Sequence, residues 1–171
     1  SNNQTIVLAG YDAATGVVGI SASTSVSAPR AIDVVNYAQS ITRVITSTSY
    51  STKSFRSATS DGTNYWGAGG AGGTILLNTN TTIQSSSTNN RNIAIFNGQL
   101  YFTTGAGTRG VYSVGTGLPI TAATATNMIP LTQFTTPSPE GFSFNPTTTI
   151  CYVTDDVSFG ISKYTFNGTS W

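Results

Sequence analysis

The chain has 171 residues, enough for one domain with a proper core. Only 8% of them are charged and the net charge is +1, which removes the electrostatic basis for binding nucleic acid or an anionic membrane. Histidine is absent, so the commonest general base and the commonest zinc ligand are missing. Ser and Thr make up about 30% of the sequence, and 8 Tyr, 8 Phe and 2 Trp accompany many Val and Ile. Disordered chains combine high net charge with few aromatics, so this composition predicts an ordered, strand-rich fold solvated by hydroxyls and amides. That solvation suits an extracellular or cell-surface protein. The chain opens at Ser1 without Met, so a processed product or an excised fragment is expected. No apolar run approaches the roughly 18 residues of a membrane span.

Gly, Ser, Thr and Asn interrupt any helical periodicity every few residues. Short apolar or alternating runs remain between them, and each reads as a strand. They cover residues 5–9, 31–35, 41–45, 74–77, 93–96, 99–103, 110–114, 142–144, 150–154 and 161–166. Asn97-Gly98 joins two of them and suits a type I′ turn, since both residues tolerate positive φ. Asp61-Gly62 and Asn167-Gly168 carry the same chemistry.

A degenerate repeat organises these runs. Thr5-Ile6-Val7-Leu8-Ala9-Gly10, Asn64-Tyr65-Trp66-Gly67-Ala68-Gly69, Leu100-Tyr101-Phe102-Thr103-Thr104-Gly105 and Cys151-Tyr152-Val153-Thr154-Asp155-Asp156 align. Each places a large strand-forming pair before small or polar residues and a Gly or Asp. A Gly-rich loop and another strand follow each one. Three are also preceded by a strand and a tight turn: 54–58, 92–96 and 141–144. The unit is therefore four antiparallel strands, repeated at about 49 residues, which is the signature of a β-propeller blade. One four-stranded sheet cannot cover both of its faces, so such sheets stack on one another.

Gly141-Phe142-Ser143-Phe144-Asn145-Pro146, the run from Ile150 to Asp156 and the run from Gly160 to Trp171 resemble a propeller blade. Val7-Leu8-Ala9-Gly10-Tyr11-Asp12-Ala13-Ala14, the run from Phe55 to Trp66, and Ile95-Phe96-Asn97-Gly98-Gln99-Leu100-Tyr101 are similar to a family of uncharacterised secreted bacterial and algal β-propeller-like repeat proteins. The resemblance covers nearly the whole chain and implies a propeller-like fold; it carries no activity and no catalytic residues with it.

The expected architecture is one all-β, propeller-like domain over 1–171, with about three and a half four-stranded blades and boundaries near 50, 90 and 138. Either the chain closes as a four-bladed ring with its first and last strands sharing a blade, or it is half of a larger propeller. The second arrangement is favoured. Ile6, Val7, Tyr164 and Phe166 are then expected to lie partly uncovered on incomplete blades, inviting pairing with another copy or a neighbouring segment.

In a propeller the loops after the second and fourth strands of each blade share one face and line the binding mouth. They bring Tyr11, Asp12, Arg109, Asp155 and Asp156 forward as candidate ligand-binding residues, for a glycan or a cation. Loop capping through Asx turns is the favoured reading of Asp155 and Asp156. Oxygen ligands suit calcium, but the spacing of an EF-hand loop is missing, so no cofactor is expected. A glycosidase would need two carboxylates across the scissile bond, and only Asp12 with Asp155 or Asp156 could supply them. The Gly-rich loops at 67–73 and 104–110 lack the Gly-Lys-Ser/Thr ending of a phosphate loop. Cys151 is the single cysteine, lacks a His partner and reads as a buried apolar residue. Asn3, Asn80 and Asn167 fit the N-glycosylation pattern. The leading expectation is a non-catalytic structural or interaction module of a surface, sheath, fibre or adhesion protein. A carbohydrate-binding propeller comes next and a propeller-mouth hydrolase or lyase last.

Overall fold

A computed structural model describes residues 5–158 and 160–171. Of these, 49% lie in strands, and the fold is all-β with four antiparallel sheets. The first sheet holds β1 (Thr5–Tyr11), β2 (Arg30–Asn36) and β3 (Ile41–Ser47). The second holds β4 (Phe55–Ser60), β5 (Tyr65–Gly69), β6 (Thr74–Leu76) and β7 (Thr81–Gln84). The third holds β8 (Asn90–Phe96), β9 (Gln99–Thr104), β10 (Gly110–Val114) and β11 (Ala125–Pro130). The fourth holds β12 (Pro139–Phe144), β13 (Ile150–Asp155) and β14 (Gly160–Thr165). Each sheet is a meander in which neighbours in sequence are neighbours in space. No helix among the described residues is long and apolar enough to cross a membrane.

Turn chemistry sets the hairpins. Asn97 (φ 47°) and Gly98 (φ 71°) form the two-residue turn expected between β8 and β9, with positive φ at both positions. Asp61-Gly62 behaves differently from that expectation. Asp61 Oδ1 accepts the Thr63 and Asn64 N–H groups at 2.9 and 2.7 Å, closing a longer loop in which only Gly62 has positive φ. Asn167 likewise accepts the Thr169 and Ser170 N–H groups, both at 2.9 Å, without positive φ of its own. In both turns a side-chain oxygen replaces the backbone twist of a type I′ turn.

The period-2 alternation of the strands divides their side chains between three cores, one for each pair of successive sheets. Val7, Ala9, Ile32, Tyr50, Phe55, Ile75 and Leu77 fill the space between the first and second. Trp66, Leu76, Ile83, Ile93, Leu100 and Phe102 fill that between the second and third. Val111, Ile129, Phe142, Phe144, Cys151 and Val153 fill that between the third and fourth. On β9 the partition is direct: Leu100 and Phe102 enter the middle core while Tyr101 packs into the last. The first strands lean on one another, β1 on β4, β4 on β8 and β8 on β12. Side-chain bonds stitch the same seams. Tyr11 Oη accepts the Phe55 N–H at 2.7 Å, Ser57 Oγ accepts the Ile93 N–H at 3.2 Å, and Thr103 Oγ1 donates to the Glu140 carbonyl at 2.9 Å.

Ile6 is uncovered as expected, and Val7, Tyr164 and Phe166 are half-buried. Strand alternation turns Val7 and Tyr164 against inner cores, and Phe166, just past the end of β14, packs on Trp171. The outer face of the first sheet exposes Leu8 (46%) and Ile41 (68%) beside Ile6 (63%), and that of the fourth exposes Ile161 (71%) and Tyr152 (47%). Cross-strand register confirms the grouping: Ile6 opposes Val35, which opposes Ile41, and Tyr152 opposes Lys163. Among the described residues no ladder joins the first sheet to the fourth; β1 pairs with β2 and β14 with β13. Among the described residues the shared blade of a four-bladed closure is thus not formed, and the terminal sheets have three strands each.

Candidate functional site

The five residues singled out on the loop face are not brought into one pocket. Tyr11 bridges the first two sheets through Phe55, and the Arg30 guanidinium lies 5.0 Å from its ring centre. Asp12 is exposed and pairs with Arg43 Nη1 at 3.2 Å. Asp33 grips the same guanidinium, and these two carboxylates, Asp33 foremost, hold Arg43 above its ordinary pKa. Arg109 Nη1 donates to the Pro137 carbonyl at 2.6 Å. Asp155 is buried and accepts three backbone N–H groups, from Ser138, Val157 and Ser158. Asp156 is exposed on the adjoining turn. Arg109 and Asp155 thus converge on the segment that leads into β12, where they fix backbone. With both oxygens facing amide hydrogens, the Asp155 carboxylate serves as the loop cap anticipated for it.

A different set of polar side chains does converge. Arg56, Arg91 and Glu140 each occupy the second position of the first strand in their sheet, on β4, β8 and β12. Because these strands lean on one another, the three side chains form a line across the sheets. Arg56 Nη1 donates to Asn89 Oδ1 at 2.6 Å and to the Asn90 carbonyl at 3.3 Å. Arg91 Nη1 is ion-paired with Glu140, and its Nη2 donates to Ser138 Oγ at 3.4 Å. Burial lowers the Arg56 pKa first and the neighbouring Arg91 charge lowers it further, while Glu140 and Tyr11 oppose the shift. Glycine makes room for this line. A Cβ on Gly105 would lie 2.9 Å from Asn89 Nδ2 and 3.2 Å from both Nε and Nη2 of Arg91. The repeat alignment of the sequence does not bring these residues into register; their shared place becomes visible only from where β4, β8 and β12 begin.

The clefts are modest. One of about 270 Å³ on the loop side is lined by Ser86, Ser87, Thr88, Thr108 and Tyr112, and the buried Ser87 Oγ has no partner among the described residues. One of about 480 Å³ lies by the turn after β4, lined by Thr5, Val7, Val34, Asp61, Tyr65 and Ile95. Cys151 is buried, and burial pushes its thiol up to about 12, against a smaller opposing bond with the Ser143 backbone. Among the described residues no three His, Cys, Asp or Glu side chains gather as a metal centre would require. Asn80 is exposed and its Oδ1 accepts the Ser47 and Ser49 hydroxyls at 2.6 and 2.8 Å. Asn167 lies on an exposed turn, and Asn3 falls outside the described residues. The repeated strand aromatics Tyr65, Trp66, Tyr101 and Phe102 pack into or against the inter-sheet cores, whereas Tyr152 departs from that pattern on an outer face. Comparison with family models, curated proteins and solved structures finds no match to this chain.

Proposed function

We propose that this chain is a non-catalytic structural or interaction module, with its four sheets acting as successive blades of a propeller-like arrangement that a second copy extends head to tail. The observation that carries the proposal is the contrast between faces. Three successive pairs of inner sheet faces bury apolar side chains, while the outer faces of the first and fourth sheets expose Ile6, Leu8, Ile41, Tyr152 and Ile161. Docking the fourth sheet of one copy on the first sheet of the next repeats a packing mode already used three times within the chain. It also brings Lys163, central on one outer face, toward Asp12 and Asp33, which together outnumber Arg43 on the other. Such a contact is heterologous, so it builds a ring if the rotation closes and a fibre if it does not. A surface rich in Ser and Thr with few charges suits a setting outside the cell or on its surface.

Five of the six acids support a non-catalytic reading. Asp12 and Asp33 bind Arg43, Glu140 binds Arg91, Asp61 closes a turn and Asp155 caps a loop. Sedimentation velocity over a concentration series tests the assembly. The unmodified chain is expected to form species larger than a monomer, and Leu8→Glu or Ile161→Glu alone is expected to return it to monomer. A monomer at every concentration in the unmodified chain overturns the proposal. A second reading, a sugar-binding module, is favoured by the hydroxyl-lined cleft beside Ser87. Screening against a glycan array tests it, with Ser87→Ala as the control.

A further inference from the structure

The Arg56–Asn89–Arg91 line holds more positive charge than its partners neutralise. Two guanidiniums face one carboxylate, Glu140, and that carboxylate is paired with Arg91. Among the described residues Arg56 has no carboxylate at ion-pair distance; its bonds go to the Asn89 side chain and the Asn90 carbonyl. The buried Nε of Arg91 donates to nothing among the described residues. Asn89 sits between the two cations. Its Oδ1 takes Arg56, and its Nδ2, like Arg91 Nε, packs against the bare Cα of Gly105. Asn89 holds φ +54°, a backbone region that costs an ordinary side chain free energy. Gly70 stands at the matching place after β5, and Arg56 Nη2 lies 3.8 Å from where its Cβ would be. Gly105 thus lets Asn89 and Arg91 close against the end of β9, and two guanidiniums of like charge lie along one seam. Juxtaposed cations with a spare N–H are stabilised by an anion that accepts from both, and the guanidinium fork matches oxyanions.

We infer that Arg56, Asn89 and Arg91 form a binding site for an oxyanion of the carboxylate or sulfate class, free or carried on an acidic polysaccharide. The anion takes the unused donors of Arg56 and the spare Nε–H of Arg91, with the Asn89 amide between them. Glu140 anchors Arg91 from the far side, so the anion meets a guanidinium already held in place.

Thermal unfolding at constant ionic strength tests the site, with sodium sulfate replacing sodium chloride. Sulfate is expected to raise the Tm of the unmodified chain above that in chloride. Arg56→Gln is expected to raise the half-saturating sulfate concentration about tenfold, the loss expected for one charge-assisted contact. Arg56→Lys keeps the charge but not the fork and should fall between them, whereas Lys163→Gln should match the unmodified chain. Arg91→Gln strips Glu140 of its partner and is not needed for the test, because Arg56 is exposed at a strand edge position and its loss spares the cores. Calorimetric titration with galacturonate and with oligogalacturonate separates the sources. Tighter binding of the oligomer per carboxylate assigns a polysaccharide, and equal binding assigns a free anion. Sulfate no better than chloride, or an Arg56→Gln variant as responsive as the unmodified chain, overturns the inference. Leu8→Glu should bind sulfate unchanged, which keeps this result separate from assembly.

Discussion

Arg30 is fully buried, at 0% exposure, and has no carboxylate partner among the described residues. Three backbone carbonyls hold it instead. Nη1 donates to Ala28 at 2.7 Å, and Nη2 donates to Ser23 and to Lys53, both at 2.9 Å. The Tyr11 ring covers it at 5.0 Å. These contacts gather the loop between β1 and β2 and the approach to β4 around a single planar cation. Arg30→Met removes all three bonds and leaves the carbonyls to find water or shift. Bonds to a charged donor are worth about 1.5–3 kcal/mol each, and releasing a buried cation returns part of their sum. The net loss is expected at about 3–5 kcal/mol, a third or more of the stability of an average domain. With a urea slope of about 2 kcal/mol per molar, the unfolding midpoint falls by roughly 2 M. Arg30→Lys should recover only part of this, since one ammonium cannot reach three carbonyls in a fork geometry. Equilibrium urea unfolding followed by Trp fluorescence measures both variants. An Arg30→Met midpoint equal to that of the unmodified chain refutes the assignment of this arginine as the fastener of the first two sheets.

Cys151 should resist a disulfide reagent at pH 8 and react only along the urea unfolding curve, because burial pushes its thiol up to about 12. With the folded value above the unfolded one, near 8.5, its contribution to stability is full below about pH 8.5 and declines as pH rises toward the folded value. Gly73→Ala should cost about 3 kcal/mol or more in urea unfolding, since Gly73 holds φ +72° and an added Cβ would lie 1.8 Å from the Gln84 carbonyl oxygen, a backbone atom. Asp61 is held below the usual carboxylate range: burial raises its pKa, and the Asn64 and Thr63 amides outweigh that. A depressed folded pKa stabilises above the unfolded value, near 3.9, and this is lost as pH falls through the folded one. The stability gap between the unmodified chain and Asp61→Asn should therefore shrink on acidification, as read by thermal unfolding at stepped pH.

Strand periodicity and turn residues are local properties, and they made the strand runs and the Asn97-Gly98 hairpin legible in the sequence. A period of two assigns each side chain to one face, and positive φ at a turn needs no distant partner. The weaker strands were harder to read. β7 and β11 carry no clean alternation, and their pairing with β6 and β10 includes a bulge each. Polarity alone left some residues with two readings. Asp155 could be read as a ligand or a loop cap, and only its burial against three backbone N–H groups selects the cap.

The charged line of Arg56, Arg91 and Glu140 arises from how the sheets stack. Its bonds join residues 33 to 49 positions apart, across the seams where β4 meets β8 and β8 meets β12. No local pattern reports which strand of one sheet leans on the next, because that depends on the twist and spacing of whole sheets. In a chain with 7 basic and 6 acidic residues, the charge of each side chain is plain from its type. Whether it meets a carboxylate, a carbonyl or a second cation is set only once the sheets have packed.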